Sequence, residues 1–167
     1  GHITNCKVLL VVMGHKMTEG EDYHDAFAPV PHATSARVII SLAAALYLEL
    51  HSCDLAQAFI QADRLEGGIN GRIFITPPKG WGEQDDVVYE CLRPLYGIPD
   101  SARALSKTLD AWFKSQGFHT AGFEESIWIR KAGGEYEHDL IVSAHIDDTL
   151  MACESLSTLE KFKTAFL

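Results

Sequence analysis

Short apolar runs bounded by glycine, proline or polar residues predict the strands of this chain. Val8 to Val12 is an unbroken run of apolar β-formers, so Lys7 to Met13 is expected to form a buried strand that ends at Gly14. Two adjacent apolar runs flank Ile146-Asp147-Asp148-Thr149, which predicts a tight hairpin with acidic residues at its tip. Further strands are predicted at 50–54, 72–76, 87–92 and 127–129.

Three stretches carry apolar residues at helical spacing. The first should be capped by Thr34 or Ser35 and buried on most sides, because its apolar positions are Val38, Ile39, Leu42, Ala43 and Leu46. The second is capped by Asp100 or Ser101 and ends at Gly117, with an apolar face of Leu105, Leu109, Trp112 and Phe113. The third follows a capping box of Ser157 and Glu160. Helices grouped with a largely antiparallel sheet predict an α+β fold with a split βαβ core.

Composition narrows the class of protein. With 167 residues, 47% of them hydrophobic, the chain can build one domain with a proper core and a small lobe beside it. A net charge of −9 counts against a surface that holds nucleic acid by charge alone. It does not exclude a local basic groove. The scattered cysteines predict free thiols in a reducing, intracellular compartment, and the scattered histidines do not favour a zinc site. No run approaches the length of a membrane span, so no membrane partner is expected.

Three carboxylates are the candidate chemistry. Asp147 and Asp148 lie at the predicted hairpin tip, and Asp54 ends a short predicted strand. Carboxylates on neighbouring strand ends would form a site for hard divalent cations. A solvated turn is the alternative, because Asp tolerates turn geometry and hydrogen-bonds its own backbone.

In this order the segments resemble the reverse transcriptase of Ty1/copia-type LTR retrotransposons. Five stretches carry the resemblance over nearly the whole chain: Lys7 to Gly14, Asp22-Tyr23 with Phe27-Ala28-Pro29-Val30, Asp54 to Phe59, Leu95-Tyr96-Gly97 with Arg103, and His145-Ile146-Asp147-Asp148. The resemblance implies a polymerase palm with a ferredoxin-like antiparallel sheet, helices on one face, and a small fingers lobe. Fingers are expected at about 3–35 and 61–93 and palm at about 36–60 and 94–167. The chain opens with Gly1-His2 and ends inside a predicted helix, so a piece without thumb or RNase H is expected.

The resemblance also implies roles for individual residues. Asp54 and Asp147 would hold Mg²⁺ or Mn²⁺, with Asp148 in a supporting part. Phe59 would pack under the incoming sugar, or is simply core. The residues expected near nucleotide or template are Lys7, Tyr96, Gly97 and Arg103, although a helix N-terminus would also explain Gly97 and surface exposure would explain Arg103. The implied partners are an RNA or DNA template-primer and dNTPs, in the cytoplasm, a virus-like particle or the nucleus.

Departures from the family pattern leave alternatives open. Leu9 and Met13 replace two expected cations, and His145 stands where Tyr is usual. A second hypothesis is therefore a catalytically silent, domesticated remnant that binds another protein or a second copy of itself. A third is a generic α+β nucleotide-binding module.

Overall fold

The computed structural model describes residues 8–65, 67–68, 71–78, 80–81 and 87–167. These residues fall into two compact units. The first takes its described residues from Gly1–Phe27 and Phe59–Ala104, and the second comprises Ala28–Ala58 and Leu105–Leu167. The fold is mixed, with helices and an antiparallel sheet, as the sequence predicted. The assignment of fingers and palm to particular ranges stays a prediction.

Within the described part of the chain, four α-helices and seven strands follow one another. In chain order they are α1 (Ala33–Leu46), β1 (Glu49–Asp54), α2 (Ala58–Gln61), β2 (Ile73–Ile75), β3 (Tyr89–Cys91), α3 (Ser101–Ser115), β4 (His119–Thr120), β5 (Ile127–Arg130), β6 (Leu140–His145), β7 (Asp148–Cys153) and α4 (Leu156–Phe166). No helix among the described residues is long and apolar enough to cross a membrane.

The second unit contains a five-stranded sheet in the order β1-β7-β6-β5-β4. Every neighbouring pair in this sheet is antiparallel. β1 and β6 therefore run in the same direction with β7 between them, which is the form of a split βαβ unit. In the part of the chain that the structure describes, β1 lies at one edge, so β7 is its one partner in the sheet.

Helices cover both faces of this sheet, which corrects the expectation of helices on one face. Ile39 and Ala43 of α1 share a core cluster with Ile127 and Ala152. On the opposite face, the Phe113 ring of α3 stacks on Trp128 with the ring centroids 4.5 Å apart. Consecutive residues of a strand face opposite ways, and Met151, Ala152 and Cys153 of β7 are all buried. Both faces of β7 are therefore covered.

The first unit has a two-stranded sheet and a core of its own. β2 and β3 pair antiparallel, with Ile73 opposite Cys91. These two residues form a cluster with Leu65 and Ile98.

The predicted buried strand at Lys7 to Met13 is wrong for its described residues. Val8 is 91% exposed, and Val11 makes one isolated bridge to Tyr96 in place of a ladder. Apolar β-formers were insufficient, because among the described residues no neighbouring strand continues this pairing.

Two helix starts differ from their predicted positions. α1 begins at Ala33 after His32, which gives no side-chain cap, so neither Thr34 nor Ser35 has that role. α1 buries Ile39 and Ala43, whereas Val38 is 58% exposed, so burial on most sides was wrong. α4 begins at Leu156 and is capped by Ser155, two residues before the predicted cap, and the Ser155 hydroxyl accepts the Thr158 N–H.

Candidate functional site

The register of β1 and β7 brings two of the predicted carboxylates together. Asp54 at the end of β1 lies directly opposite Asp148 at the start of β7. The next residue, Leu55, donates its N–H to the Asp147 carbonyl at 3.0 Å. Hydrogen-bonded and non-hydrogen-bonded pairs alternate along an antiparallel ladder, so Asp54 and Asp148 form a non-hydrogen-bonded pair. Their Cα atoms are then about 4.5 Å apart and their side chains lie on the same face.

Asp147 sits at the hairpin tip that joins β6 to β7. The loop consists of two residues, Ile146 and Asp147, and Ile146 has a φ of 62°. Positive φ at the first loop residue alone is the φ pattern of a type II′ turn. A β-branched residue is strained in this region, and such strain clusters at functional sites. The tip thus holds Asp147 one residue from the facing carboxylate pair.

Polar groups surround this pair on the face of the sheet that α1 also covers. His145 lies opposite Asp148 on the other neighbouring strand, so Asp54, Asp148 and His145 form a row across three strands. A cavity of about 430 Å³ is lined by this row and by Ser52 and Ser143. The arrangement offers oxygen and nitrogen donors beside open space.

A buried side-chain contact ties β1 to β7 directly behind the carboxylates. The Thr149 hydroxyl donates to the Cys53 carbonyl at 3.0 Å, and the Cys53 Sγ lies 2.9 Å from the Thr149 Oγ1. Thr149 is 3% exposed. Sequence reasoning missed this contact, because neither a strand threonine nor an isolated cysteine signals a partner 96 positions away.

The carboxylates fit a hard cation in chemistry. Mg²⁺ prefers oxygen ligands and is usually bound through one or two carboxylates together with water and substrate phosphates. Asp54 and Asp148 supply such a facing pair, with Asp147 adjacent. Among the described residues, no three His, Cys, Asp or Glu side chains are grouped closely enough to hold a metal ion by themselves. The fit is therefore to a carboxylate pair completed by other ligands, and not to an all-protein cage.

The residues predicted to contact nucleotide or template lie in the first unit. Phe59 is 8% exposed and packs its ring edge against Tyr96, with the centroids 4.6 Å apart. Arg103 forms an ion pair with Asp25. Lys7 lies outside the described residues.

Gly97 has a structural explanation within its own unit. Its φ is 88°, and a Cβ at this position would lie 2.0 Å from the Val12 carbonyl oxygen. The Val12 N–H in turn donates to the Tyr96 carbonyl at 2.8 Å. The missing side chain therefore lets the segment around Val12 approach. The resemblance implies a close approach of template or nucleotide at the same residue, and that stays a prediction.

Two carboxylates of the first unit have displaced pKa values. A side-chain hydrogen bond from Arg72, with further help from Arg64, lowers the pKa of Glu90 to about 2. Burial raises the pKa of Asp100, whose Oδ1 has no hydrogen-bond partner. Both groups affect the pH dependence of stability of this unit.

Comparison with known proteins assigns the sequence to a family. A family model described as reverse transcriptase (RNA-dependent DNA polymerase) matches residues 3–167. The retrovirus-related Pol polyprotein from transposon TNT 1-94 of Nicotiana tabacum is 28% identical over 159 residues, which cover 94% of this chain and 11% of that protein. The corresponding polyproteins from transposons RE2 and RE1 of Arabidopsis thaliana are 25% and 26% identical over 153 residues, which cover 90% of this chain and 10% of each relative.

The chain thus spans about a tenth of the length of these relatives. No solved structure matches it significantly. The match to the family model covers almost every residue, including β1, β7 and the turn before β7, which together carry the three carboxylates. The chain therefore belongs to the reverse transcriptase (RNA-dependent DNA polymerase) family, in the form found in Ty1/copia-type retrotransposons.

Proposed function

We propose that this chain forms the metal-binding part of an RNA-directed DNA polymerase. In this proposal Asp54 and Asp147 hold Mg²⁺ or Mn²⁺, and Asp148 supports them from the neighbouring position. The template-primer would be RNA or DNA, and the substrates would be dNTPs. The observation that carries the proposal is the register that sets Asp54 opposite Asp148, with Asp147 at the adjoining turn.

The like charges of the site are the second support. Two carboxylates directly opposite each other destabilise a sheet unless a cation lies near them. Among the described residues, neither Asp54 nor Asp148 has an ion pair with Lys or Arg within 4.0 Å. A bound divalent ion would supply the missing positive charge.

The chemistry follows from the donor set. Bound divalent ions would favour deprotonation of the primer 3′-hydroxyl and neutralise charge on the leaving pyrophosphate. The carboxylates of this chain would fix where those ions lie relative to the primer end. The strained turn at Ile146 would hold the Asp147 carboxylate at the tip, where an incoming strand can reach it.

Primer extension on an RNA template with Mg²⁺ or Mn²⁺ tests this function. We expect product from the unaltered chain and an at least about 100-fold loss in Asp54→Asn and Asp147→Asn, since loss of an outer partner of a metal site already costs up to about that factor. Asp148→Asn should lose less. Asp139→Asn is the matched control. Asp139 immediately precedes β6, at the end of that strand away from the three carboxylates, and forms an ion pair with Lys131.

Two results would contradict the proposal. One is equal product from the unaltered chain and Asp147→Asn. The other is the absence of product from a folded chain that binds Mn²⁺. A loss of the same size in Asp139→Asn would show that the assay reports general damage.

One observation favours the second candidate function, a protein-binding remnant without catalysis. α1 exposes large apolar side chains that the sheet leaves uncovered: Val38, Ile40, Leu42 and Leu46. Exposed apolar patches mark interaction sites. If this function holds, Val38→Asp with Leu46→Asp abolishes self-association or partner binding in sedimentation, and the chain shows no salt-dependent binding to a primer-template duplex.

A further inference from the structure

The pairing of β1 with β7 sets the two carboxylates opposite each other. Among the described residues, β1 is an edge strand and has β7 as its one sheet partner. The Asp54 and Asp148 carboxylates repel each other at the end of this pairing. Contacts that hold the two strand ends together must oppose that repulsion.

Such contacts lie on both sides of the carboxylate pair. On one side Leu55 donates its N–H to the Asp147 carbonyl. On the other side lies the pair of Cys53 and Thr149, which immediately precede Asp54 and follow Asp148. The carboxylate pair therefore lies between a backbone hydrogen bond and the side-chain contact of Cys53 with Thr149, which is called the tie below.

The donor in each contact between Cys53 and Thr149 follows from the groups involved, because a carbonyl oxygen can only accept. A hydroxyl has one hydrogen, and the Thr149 hydroxyl donates it to the Cys53 carbonyl at 3.0 Å. The Cys53 thiol, 2.9 Å from the Thr149 Oγ1, then donates to that oxygen. The hydroxyl accepts from one group and donates to another, and such chains of hydrogen bonds strengthen one another in a buried place.

We propose that Thr149 is a positioning residue for the carboxylate pair and acts through Cys53. The inference rests on the proposed function, because it concerns how the same carboxylates are held for a divalent ion. Loss of the hydroxyl would let the end of β1 move away from β7, which moves Asp54 away from both Asp147 and Asp148. The affinity for the ion would fall, while the fold would remain.

Three variants test the tie. Thr149→Val removes the hydroxyl at nearly constant volume, Thr149→Ser keeps it, and Thr158→Val makes the same change at a buried threonine of α4. The first readout is amide hydrogen exchange at Leu55 without metal. We expect Thr149→Val to lose protection at Leu55, and the other two variants to retain it.

The second readout is Mn²⁺ binding, measured by electron paramagnetic resonance. The dissociation constant for Mn²⁺ should rise about tenfold in Thr149→Val, the lower end of what outer partners of metal sites contribute. Thr149→Ser should restore most of the affinity. In primer extension the Mg²⁺ concentration for half-maximal product should rise likewise, with the KM for dNTP unchanged.

The two proposals fail separately. If the unaltered chain makes no product, the polymerase function fails, while hydrogen exchange and Mn²⁺ binding still judge the tie. Thr149→Val that matches the unaltered chain in both of these readouts overturns the inference. So does an equal loss in Thr149→Ser or Thr158→Val, because the effect would then be general destabilisation.

Discussion

The facing carboxylates should make the protein less stable without metal than it would be with either one neutralised. Asp54 and Asp148 are directly opposite in a non-hydrogen-bonded pair, and both are exposed. We expect a repulsion of about 0.5 kcal/mol, toward the lower part of the cross-strand range because exposed charges are screened. Asp148→Asn should therefore raise the melting temperature by about 1–2 °C for a chain of this size.

With divalent metal, the unaltered chain should have a higher melting temperature than Asp148→Asn. At about 10 mM Mg²⁺, ten times a dissociation constant of about 1 mM, binding to the folded state adds about 1.4 kcal/mol. The unaltered chain should then gain about 3–6 °C, and Asp148→Asn should gain less. Scanning calorimetry at low salt, with and without MgCl₂, measures both effects.

Glu49→Gln is the matched control for this experiment. Glu49 lies on β1, the strand of Asp54, and Glu49→Gln removes one negative charge as Asp148→Asn does, but Glu49 is opposite Cys153 instead of a carboxylate. Its melting temperature without metal should not change, and its gain with Mg²⁺ should equal that of the unaltered chain. The reasoning is refuted if Asp148→Asn behaves like Glu49→Gln in both conditions. About 1 M NaCl should abolish the difference without metal, because the Debye length falls to about 3 Å.

Three further predictions concern the first unit. Gly97→Ala should lower the free energy of unfolding in urea by at least about 2 kcal/mol, because the cost of positive φ and the cost of a backbone clash add. Gly20→Ala is the control, since Gly20 has positive φ but open space around it, and its loss of stability should be smaller; an equal loss would contradict the clash. Asp100→Asn should raise the free energy of unfolding by about 1 kcal/mol at pH 7. The gain should vanish at a pH below the ordinary pKa range of carboxyl groups, since burial raises the pKa of Asp100 and the folded state binds the proton more readily. A gain that persists in acid would argue against burial. Glu90→Gln should lower the urea midpoint above pH 4.5, the ordinary pKa, and the difference should shrink as pH falls toward 2, the lowered pKa; a constant difference would contradict the ion pair.

Sequence pattern predicted the elements that depend on local signals. The apolar run before Asp54 became β1, and the apolar runs around Asp147 became the hairpin of β6 and β7. The helix with Leu105, Leu109 and Phe113 on its buried face also formed as expected. These segments carry their periodicity and their stop signals within a few residues, so no distant partner was needed to infer them.

What failed depends on contacts between distant segments. Val8 to Val12 has strand composition, but a strand requires a neighbour with free backbone groups, and the described structure gives it one bridge. Cover on both faces of β7 does have a local signal, which the prediction of helices on one face did not use: Leu150 to Cys153 is an unbroken apolar run instead of an alternating one. The tie between Cys53 and Thr149 joins residues 96 positions apart and has no signal in a single sequence.

For the candidate site too, the sequence indicates which residues to consider, and the structure shows what lies next to them. The roles that the resemblance implies for the three carboxylates stay predictions, and the structure gives the register that sets Asp54 opposite Asp148. The approach of nucleic acid at Gly97 also stays a prediction, and the structure shows a close approach there by the chain's own backbone at Val12. A glycine signal in sequence reports a need for space and not what occupies it.

Paramagnetic broadening by Mn²⁺ tests the central claim most directly, because it reports where the ion binds without requiring turnover. Substoichiometric Mn²⁺ should broaden first the backbone amide signals of Asp54, Leu55 and the turn at Ile146 to Asp148. The same titration of Asp54→Asn combined with Asp147→Asn should leave those signals sharp. Broadening that begins at another acidic surface, such as Glu124 and Glu125, and that is unchanged in the double variant, would contradict a metal site at these carboxylates.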